Sequence, residues 1–330
     1  MSRFDPFLIS KALWQIRVKK RPFVLSHALN AHCNMSCSFC EHWKKVGDEP
    51  TKEEVFRLLD NAKEFGIGVY NAWSVEPLLR KDLPKIMAHV KELGMITSMI
   101  TNGKLLYERA EELGDVDYLS VSVDGIKSYK EIRQTDFETL LKGIKKAIKF
   151  RKLQNQKNPI LMNCVLMGKN LEDIETLIFL AKELELKVSF EPIHKFPGIS
   201  DEVWNEIGIS DIKKFRSTVD RIIELKGQDY PIINSKTYLR MVREGKMDYK
   251  CRASGFIMNV THDCTLEICR VQNEPLGNVM LDGFESVWKN SNERRSEIVG
   301  NCKGCLFFGY VENSLIQSLN PEVLMNYEWI

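Results

Sequence analysis

No apolar run in this chain is long enough to span a bilayer as a helix, and no secretory signal opens it. The expected location is therefore cytoplasmic. Charge of one sign is equally scarce. The net charge is only +2, and no long Lys/Arg run stands clear of acidic neighbours, so a nucleic-acid substrate is not indicated. Internal repeats and low-complexity tracts are also missing. What the chain does hold is a sizeable apolar fraction, 44%, sufficient for a real core, and nine cysteines. In a reducing compartment that many thiols indicate metal or redox chemistry and not a disulfide framework.

Three of them, Cys33, Cys37 and Cys40, lie in the run His32-Cys-Asn-Met-Ser-Cys-Ser-Phe-Cys-Glu-His-Trp43 as C-x3-C-x2-C. Three thiolates in one short loop can hold three corners of a cubane iron–sulfur cluster. No fourth thiol follows closely, so one iron would stay open, which is a catalytic arrangement. Zinc is the competitor, because soft thiolates select it too, and His32 or His42 would complete such a site. Closed zinc sites, however, favour two CxxC-like knuckles.

From Phe23 to about Glu191 apolar runs alternate with amphipathic segments, the pattern of parallel βα units. Strands are predicted over Val24–Ala28, Val69–Trp73, Ile96–Ile100, Tyr118–Val123, Ile160–Leu166 and Val188–Glu191. Helices fall near Lys52–Phe65, Leu83–Leu93, Leu105–Leu113, Phe137–Phe150 and Leu171–Leu184, the first with a Thr51/Glu54 capping box. The fold class is α/β. Periodicity permits a partial barrel or a doubly wound sheet, and either gathers ligands at strand C-termini. The cysteine loop, Glu76, Asn102, Asp124 and Glu191 all fall there.

The cysteine spacing resembles the signature of the radical S-adenosylmethionine (radical SAM) enzymes. The resemblance implies a partial (β/α)6 barrel followed by a small cysteine-rich α+β domain. The corresponding division is an amphipathic N-terminal helix over 1–22, the barrel over 23–195, a helical connection over 196–250 and an auxiliary domain over 251–330. It also implies a 4Fe–4S cluster on Cys33, Cys37 and Cys40 and S-adenosylmethionine (SAM) as cofactor. Reductive cleavage of SAM would release a 5′-deoxyadenosyl radical, fed by a reducing donor such as ferredoxin or flavodoxin.

Ser74-Val-Glu-Pro-Leu-Leu-Arg80 resembles the family's Gly-Gly-Glu-Pro segment, with both glycines replaced. It implies that Glu76 meets the amino group of the SAM methionine. Leu119-Ser-Val-Ser-Val-Asp-Gly125 resembles the fourth-strand segment and implies ribose-side contacts from Ser122 and Asp124, with Asn163 a further one. Arg133 corresponds to the arginine that pairs with the methionine carboxylate. Phe39 corresponds to the aromatic position near adenine. Asn102-Gly103 is read as an ordinary turn.

Cys251-x12-Cys264-x4-Cys269 and Cys302-x2-Cys305 resemble the SPASM or twitch extension of these enzymes. A glycine usually stands where Cys264 does. The implied ligand set is Cys251, Cys269, Cys302 and Cys305, closing one auxiliary 4Fe–4S cluster, with structural zinc as the alternative. Cys164, within a predicted strand, reads as a buried apolar residue.

The substrate is an organic molecule that the sequence does not identify. One expectation is a lipid or isoprenoid whose unactivated carbon is functionalised. It rests on the amphipathic start, with Leu8, Ala12, Leu13 and Ile16 sharing a face, and on the apolar tail Leu319–Ile330. The same start suggests peripheral contact of residues 1–21 with the inner membrane surface. The alternatives are modification of a peptide or protein, and dehydrogenation of a small molecule or a step of cofactor biosynthesis. A zinc-stapled binding module is the non-enzymatic one.

Overall fold

The computed structural model describes residues 6–44, 47–73, 75–195 and 199–326. Ser74, residues 1–5, 196–198 and 327–330, and the side chain of His42 were drawn on above and lie outside the described residues.

Six strands open the fold: β1 (Val24–Ala28), β2 (Val69–Trp73), β3 (Ile96–Thr101), β4 (Tyr118–Ser122), β5 (Leu161–Leu166) and β6 (Lys187–Pro192). They stand side by side in chain order and every neighbouring pair is parallel. The order never reverses, so the doubly wound alternative falls away. A parallel sheet wound steadily in one direction curls into a partial barrel. The first two strands and the helix Lys52–Phe65 have the predicted limits. The helix expected over Leu105–Leu113 instead breaks into a single turn, Leu106–Arg109, and a tighter one, Ala110–Glu112. No side chain caps either piece.

Each strand turns one face outward to the helices and one inward. Leu25, Tyr70, Met99, Leu119 and Val121 are buried in the main core with Val55, Leu58, Leu59 and Ala62 of the first long helix. That helix has its Thr51/Glu54 capping box and stops at Gly66, whose φ of +110° suits a left-handed C-cap. Strands of a parallel sheet are buried on both faces and ordinarily carry branched aliphatic residues throughout. Here the inward positions Ser26, Asn71, Ser98, Ser120, Ser122 and Ser189 are small and polar, and they leave a cavity of about 320 Å³.

After β6 come the helices Asp201–Ile207, Ile212–Gly227 and Lys236–Glu244. The chain then returns to the far edge of the sheet. β7 (Ile257–Val260) pairs with β1 in parallel, and β8 (Thr265–Glu267) and β9 (Pro275–Asn278) extend it antiparallel. The opposite edge is covered too: Val188 N–H donates to Pro231 (2.9 Å) and Ile233 N–H to Val188 (2.9 Å). Such pairing satisfies an edge that would otherwise template aggregation.

The N-terminal helix Pro6–Leu13 runs into a π-helical turn, Trp14–Val18. Leu8, Ala12 and Ile16 face the body of the protein, and buried Gln15 donates to the carbonyls of Phe65 (3.0 Å) and Pro22 (3.3 Å). Leu13 was expected on that face and is not. Five residues beyond Leu8, it lies about 140° round the helix and is 54% exposed, beside Phe7, Trp14 and Val18.

The helix Phe308–Gln317 closes over the cavity and contributes Tyr310 and Glu312 to its wall. Glu312 accepts from the Ser235 N–H (2.7 Å), while the Ser235 hydroxyl caps the helix Lys236–Glu244. Burial pushes the Glu312 carboxyl up to about 7, against the bonds from Ser235. A carboxyl raised above its unfolded value stabilises the fold at low pH, and that contribution is lost as pH rises through the folded value. Glu312→Gln should therefore gain melting temperature over the parent as pH rises from about 5 to about 8, with an upper bound of about 3 kcal/mol at the alkaline end. Thermal melts of both proteins across that range check it; parallel curves would refute it.

Candidate active site

The predicted site residues collect at the C-terminal ends of β1 to β5. Cys33, Cys37 and Cys40 follow β1, with Cys37 buried and the other two half-buried. The Cys40 N–H donates to the Cys37 carbonyl (3.2 Å), closing the loop into a turn. Two side chains donate toward its sulfurs. Asn102 Nδ2 lies 3.6 Å from Cys33 Sγ, and Arg133 Nη1 lies 3.7 Å from Cys37 Sγ. Burial raises the Cys33 thiol, whereas a bound iron would deprotonate it outright. His32 stands beside Glu49, with its Nε2 3.7 Å from the carboxylate.

Glu76 is fully buried and its carboxylate points into the protein. Oε1 accepts from the Thr101 hydroxyl (2.6 Å) and the Leu78 N–H (3.0 Å), and Oε2 from the Asn102 N–H (2.7 Å). Burial raises its pKa while those three bonds pull the other way. Its backbone is held in turn by Asn30, which donates to the Glu76 carbonyl (2.8 Å) and accepts from the Val75 N–H (2.8 Å). The residue expected to meet the cofactor's ammonium is thus a brace between loops.

Asp124 and Arg133, expected to serve separate parts of SAM, are joined to each other. Arg133 Nε donates to Asp124 Oδ2 at 2.6 Å and Nη2 approaches it at 2.5 Å. Burial opposes the arginine's charge, but Asp124, Cys37 and Tyr129 more than offset this and hold its pKa above the usual value. Asp124 Oδ1 accepts from the Val165 N–H (2.7 Å), which ties the pair to β5. Gly125, at φ +129°, makes the turn that follows, where an added Cβ would meet the Ser128 hydroxyl at 2.3 Å. Phe39 lies under the guanidinium, 5.1 Å from ring centre to Cζ. Ser122 and Asn163 line the cavity, and Asn163 accepts from Ser189 (2.7 Å).

One residue here was placed at a strand end but given no role from the sequence, and another was passed over. Asn102 was read as a turn, yet it links Glu76 to Cys33. Asn30, three residues before the first cysteine, carried no spacing signal. Arg270 at the inner wall of the cavity is a third.

The later cysteines form a second group. Cys251, Cys269, Cys302 and Cys305 lie near enough for the charge of one to act on another, and burial raises Cys305 to about 11. Donors again approach the sulfurs: Gln272 N–H to Cys269 (3.4 Å), Gly304 N–H to Cys302 (3.4 Å) and Tyr249 Oη beside Cys305 (3.7 Å). Hydrogen bonds to sulfur are what tune an iron–sulfur centre, so both donor sets fit the group. Among the described residues no three His, Cys, Asp or Glu side chains close around one point as a single zinc ion would need.

Cys264 stands apart, influenced by Asp263 and Glu54 and by none of those four thiols. Its φ is +66°, in the left-handed region that glycine adopts freely. That explains a glycine at this place in the resembling pattern. Cys164 is buried in the main core, as its strand position implies.

Residues 29–181 match the Radical SAM superfamily. On that match, which spans a little under half of the chain and includes Cys33, Cys37 and Cys40, the chain reads as a radical SAM enzyme. It is accordingly an enzyme whose cofactors are a 4Fe–4S cluster and SAM. A protein of Methanopyrus kandleri named probable GTP 3′,8-cyclase is 25% identical over 257 residues, 73% of this chain and 79% of that protein. Its namesake from Methanococcus vannielii is 33% identical over 172 residues, 50% of this chain, so the match spans 56% of that relative's length. Streptococcus suis SuiB bound to S-adenosylmethionine superposes with a TM-score of 0.68 over 94% of this chain and 77% of its own, at 19% identity. The protein anSMEcpe, solved with bound AdoMet and a peptide, gives 0.61 over 85% of each chain at 17% identity. At such identities the likeness is one of fold, and it extends through the C-terminal antiparallel, cysteine-rich region of this radical SAM enzyme.

Iron counting separates the thiols. After anaerobic reconstitution the parent should bind about eight irons and Cys302→Ala/Cys305→Ala about four, whereas Cys264→Gly should keep about eight. A loss in Cys264→Gly would make Cys264 a ligand.

Proposed function

We propose that this enzyme cleaves SAM reductively at a 4Fe–4S cluster held by Cys33, Cys37 and Cys40, and acts on a polar substrate in the barrel cavity. When bound, the cluster and SAM supply a 5′-deoxyadenosyl radical that abstracts hydrogen from a substrate carbon. The observation that carries this reading is Arg133, which lines the cavity beside Ser122 and Asn163 and also lies 3.7 Å from Cys37 Sγ, so that it joins the three-thiol loop to the cavity. Arg133, fixed by Asp124, directs its remaining Nη1 toward that loop, where it supports both a thiolate and the cofactor's carboxylate. Ser122 and Asn163 offer hydroxyl and amide groups for the ribose. Cys251, Cys269, Cys302 and Cys305 hold one auxiliary 4Fe–4S cluster, and a ferredoxin- or flavodoxin-type donor supplies electrons.

Two kinds of relative support a polar substrate. The sequence relatives are named for GTP, and SuiB and anSMEcpe were solved with peptides bound. A small polar molecule or a peptide side chain suits about 320 Å³. Neither kind of relative supports a lipid or isoprenoid chain. Anaerobically reconstituted protein with dithionite and SAM should yield 5′-deoxyadenosine, and Cys33→Ala, Cys37→Ala and Cys40→Ala should each abolish it. No product from fully loaded parent protein would overturn the reading.

A peripheral membrane contact is a second proposal, favoured by the outward face of Phe7, Leu13, Trp14 and Val18 beside Arg17, Lys19 and Lys20. No helix of the described residues is long and apolar enough to cross a membrane. Flotation with anionic liposomes should carry the full chain and not Phe7→Ser/Trp14→Ser; equal flotation of both would remove this contact.

A further inference from the structure

Arg270 follows the auxiliary thiol Cys269 directly, yet it reaches back into the barrel. Its backbone N–H donates to the Tyr310 hydroxyl (3.0 Å), and its Nη2 donates to Ser26 Oγ on β1 (2.6 Å). The guanidinium lies flat on the Trp73 indole, 3.4 Å from Cζ to the ring centre, with Phe307 at 5.9 Å. Its partner is thus a hydroxyl and not a carboxylate. Glu191 and Glu267 act on its charge through space.

The other charged side chains of the cavity wall have counterparts. Arg133 has Asp124, Glu191 accepts from the Phe308 N–H (3.1 Å) and Glu312 from the Ser235 N–H. Arg270 Nε, in contrast, is buried with no hydrogen-bond partner, and so is Nε1 of Trp73 beneath it. Buried donors without acceptors are rare in folded proteins. Two in one stacked pair, one of them cationic, indicate an acceptor that arrives with a ligand. The stack fixes the plane of the guanidinium and leaves its Nε–Nη2 edge oriented, the geometry that receives a carboxylate or phosphate side-on.

We propose that Arg270, held by Trp73 and Ser26, is a specificity-determining residue that reads an anionic oxygen group, carboxylate or phosphate, on the substrate of this enzyme. This rests on the reading of the barrel cavity as the substrate site. It gives the substrate a polarity within the site, with its anionic end at the β1–β2 wall. It also makes the loop that carries an auxiliary thiol part of the substrate pocket.

The test uses the full-length, anaerobically reconstituted protein and two probes, inorganic phosphate and acetate, with affinities measured by calorimetry and by NMR line broadening. One probe should bind to the parent and should bind about tenfold more weakly to Arg270→Gln, with Arg270→Lys in between because an ammonium keeps the charge but loses the planar fork. Which probe binds decides between phosphate and carboxylate. SAM carries a carboxylate of its own, so each titration is repeated with SAM present. Displacement of the probe by SAM would assign Arg270 to the cofactor and overturn the proposal. Equal affinity in parent and Arg270→Gln, or binding of neither probe, would overturn it as well. If Arg270→Gln does not fold or load iron, Trp73→Leu takes its place and should weaken the same probe several-fold. The 5′-deoxyadenosine assay on the parent keeps the two readings apart. A parent that makes no product fails the enzyme reading, whereas one that makes it but binds anions independently of Arg270 fails this inference alone.

Discussion

Three loops from three strands meet at this site, and loops are the least constrained parts of a fold. Glu76 is what gathers them. Its backbone is clasped by Asn30 from the β1 loop, and its carboxylate receives Thr101 and Asn102 from the end of β3. Asn102 then donates to Asn34 (2.8 Å) and toward Cys33 within the thiol loop. A buried carboxylate is costly unless its oxygens are satisfied, and here both are. That cost enforces register: shifting any one of the loops would strip a donor from a group that has no water to replace it. The thiols are therefore positioned from below, by a network that does not need the cluster to exist.

The Asp124–Arg133 pair does the same work from the other side. Removing a partner from a buried ion pair is far more disruptive than the pair is stabilising, so its value lies in where it holds the guanidinium. Bound to β5 through Val165 and stacked on Phe39, Arg133 has one nitrogen left, and that nitrogen faces Cys37. The pair converts a long flexible side chain into a fixed donor.

Much of this was legible in the chain. Strand and helix periodicity located β1, β2 and the helix Lys52–Phe65 to the residue, because amphipathic alternation and a capping box are local signals. Spacing set the four later thiols together and left Cys264 open between ligand and bystander; its φ of +66° is the backbone conformation that a glycine at that place would adopt. Hydrogen-bond direction was not legible. Glu76, Asp124 and Arg133 were placed at the correct strand ends, but the sequence does not show that Glu76 is bonded to Thr101, Asn102 and Leu78, or that Asp124 and Arg133 are bonded to each other. Asn102 looked like half of an Asn-Gly turn, and only the third dimension sets it against Cys33. Leu13 fell off its expected face through helical geometry alone.

The pairing of β7 with β1 carries the deepest consequence. β1 ends in the radical-site thiols, and the β7–β9 extension leads into Cys269. Joining these strands in one sheet couples the two thiol groups through hydrogen-bonded backbone instead of through a hinge between separate bodies. Arg270 and Ser26, 244 residues apart in sequence, can touch only because of that pairing. A sheet edge is a rigid way to fix a distance, since each parallel neighbour sets the next at close to 4.8 Å. The separation between the radical site and the auxiliary thiols is thus a property of strand order. The cavity accordingly takes wall residues from both regions, Ser26 and Asn71 from the first strands and Arg270 from the extension, and small serine and asparagine side chains on the inner face leave its room.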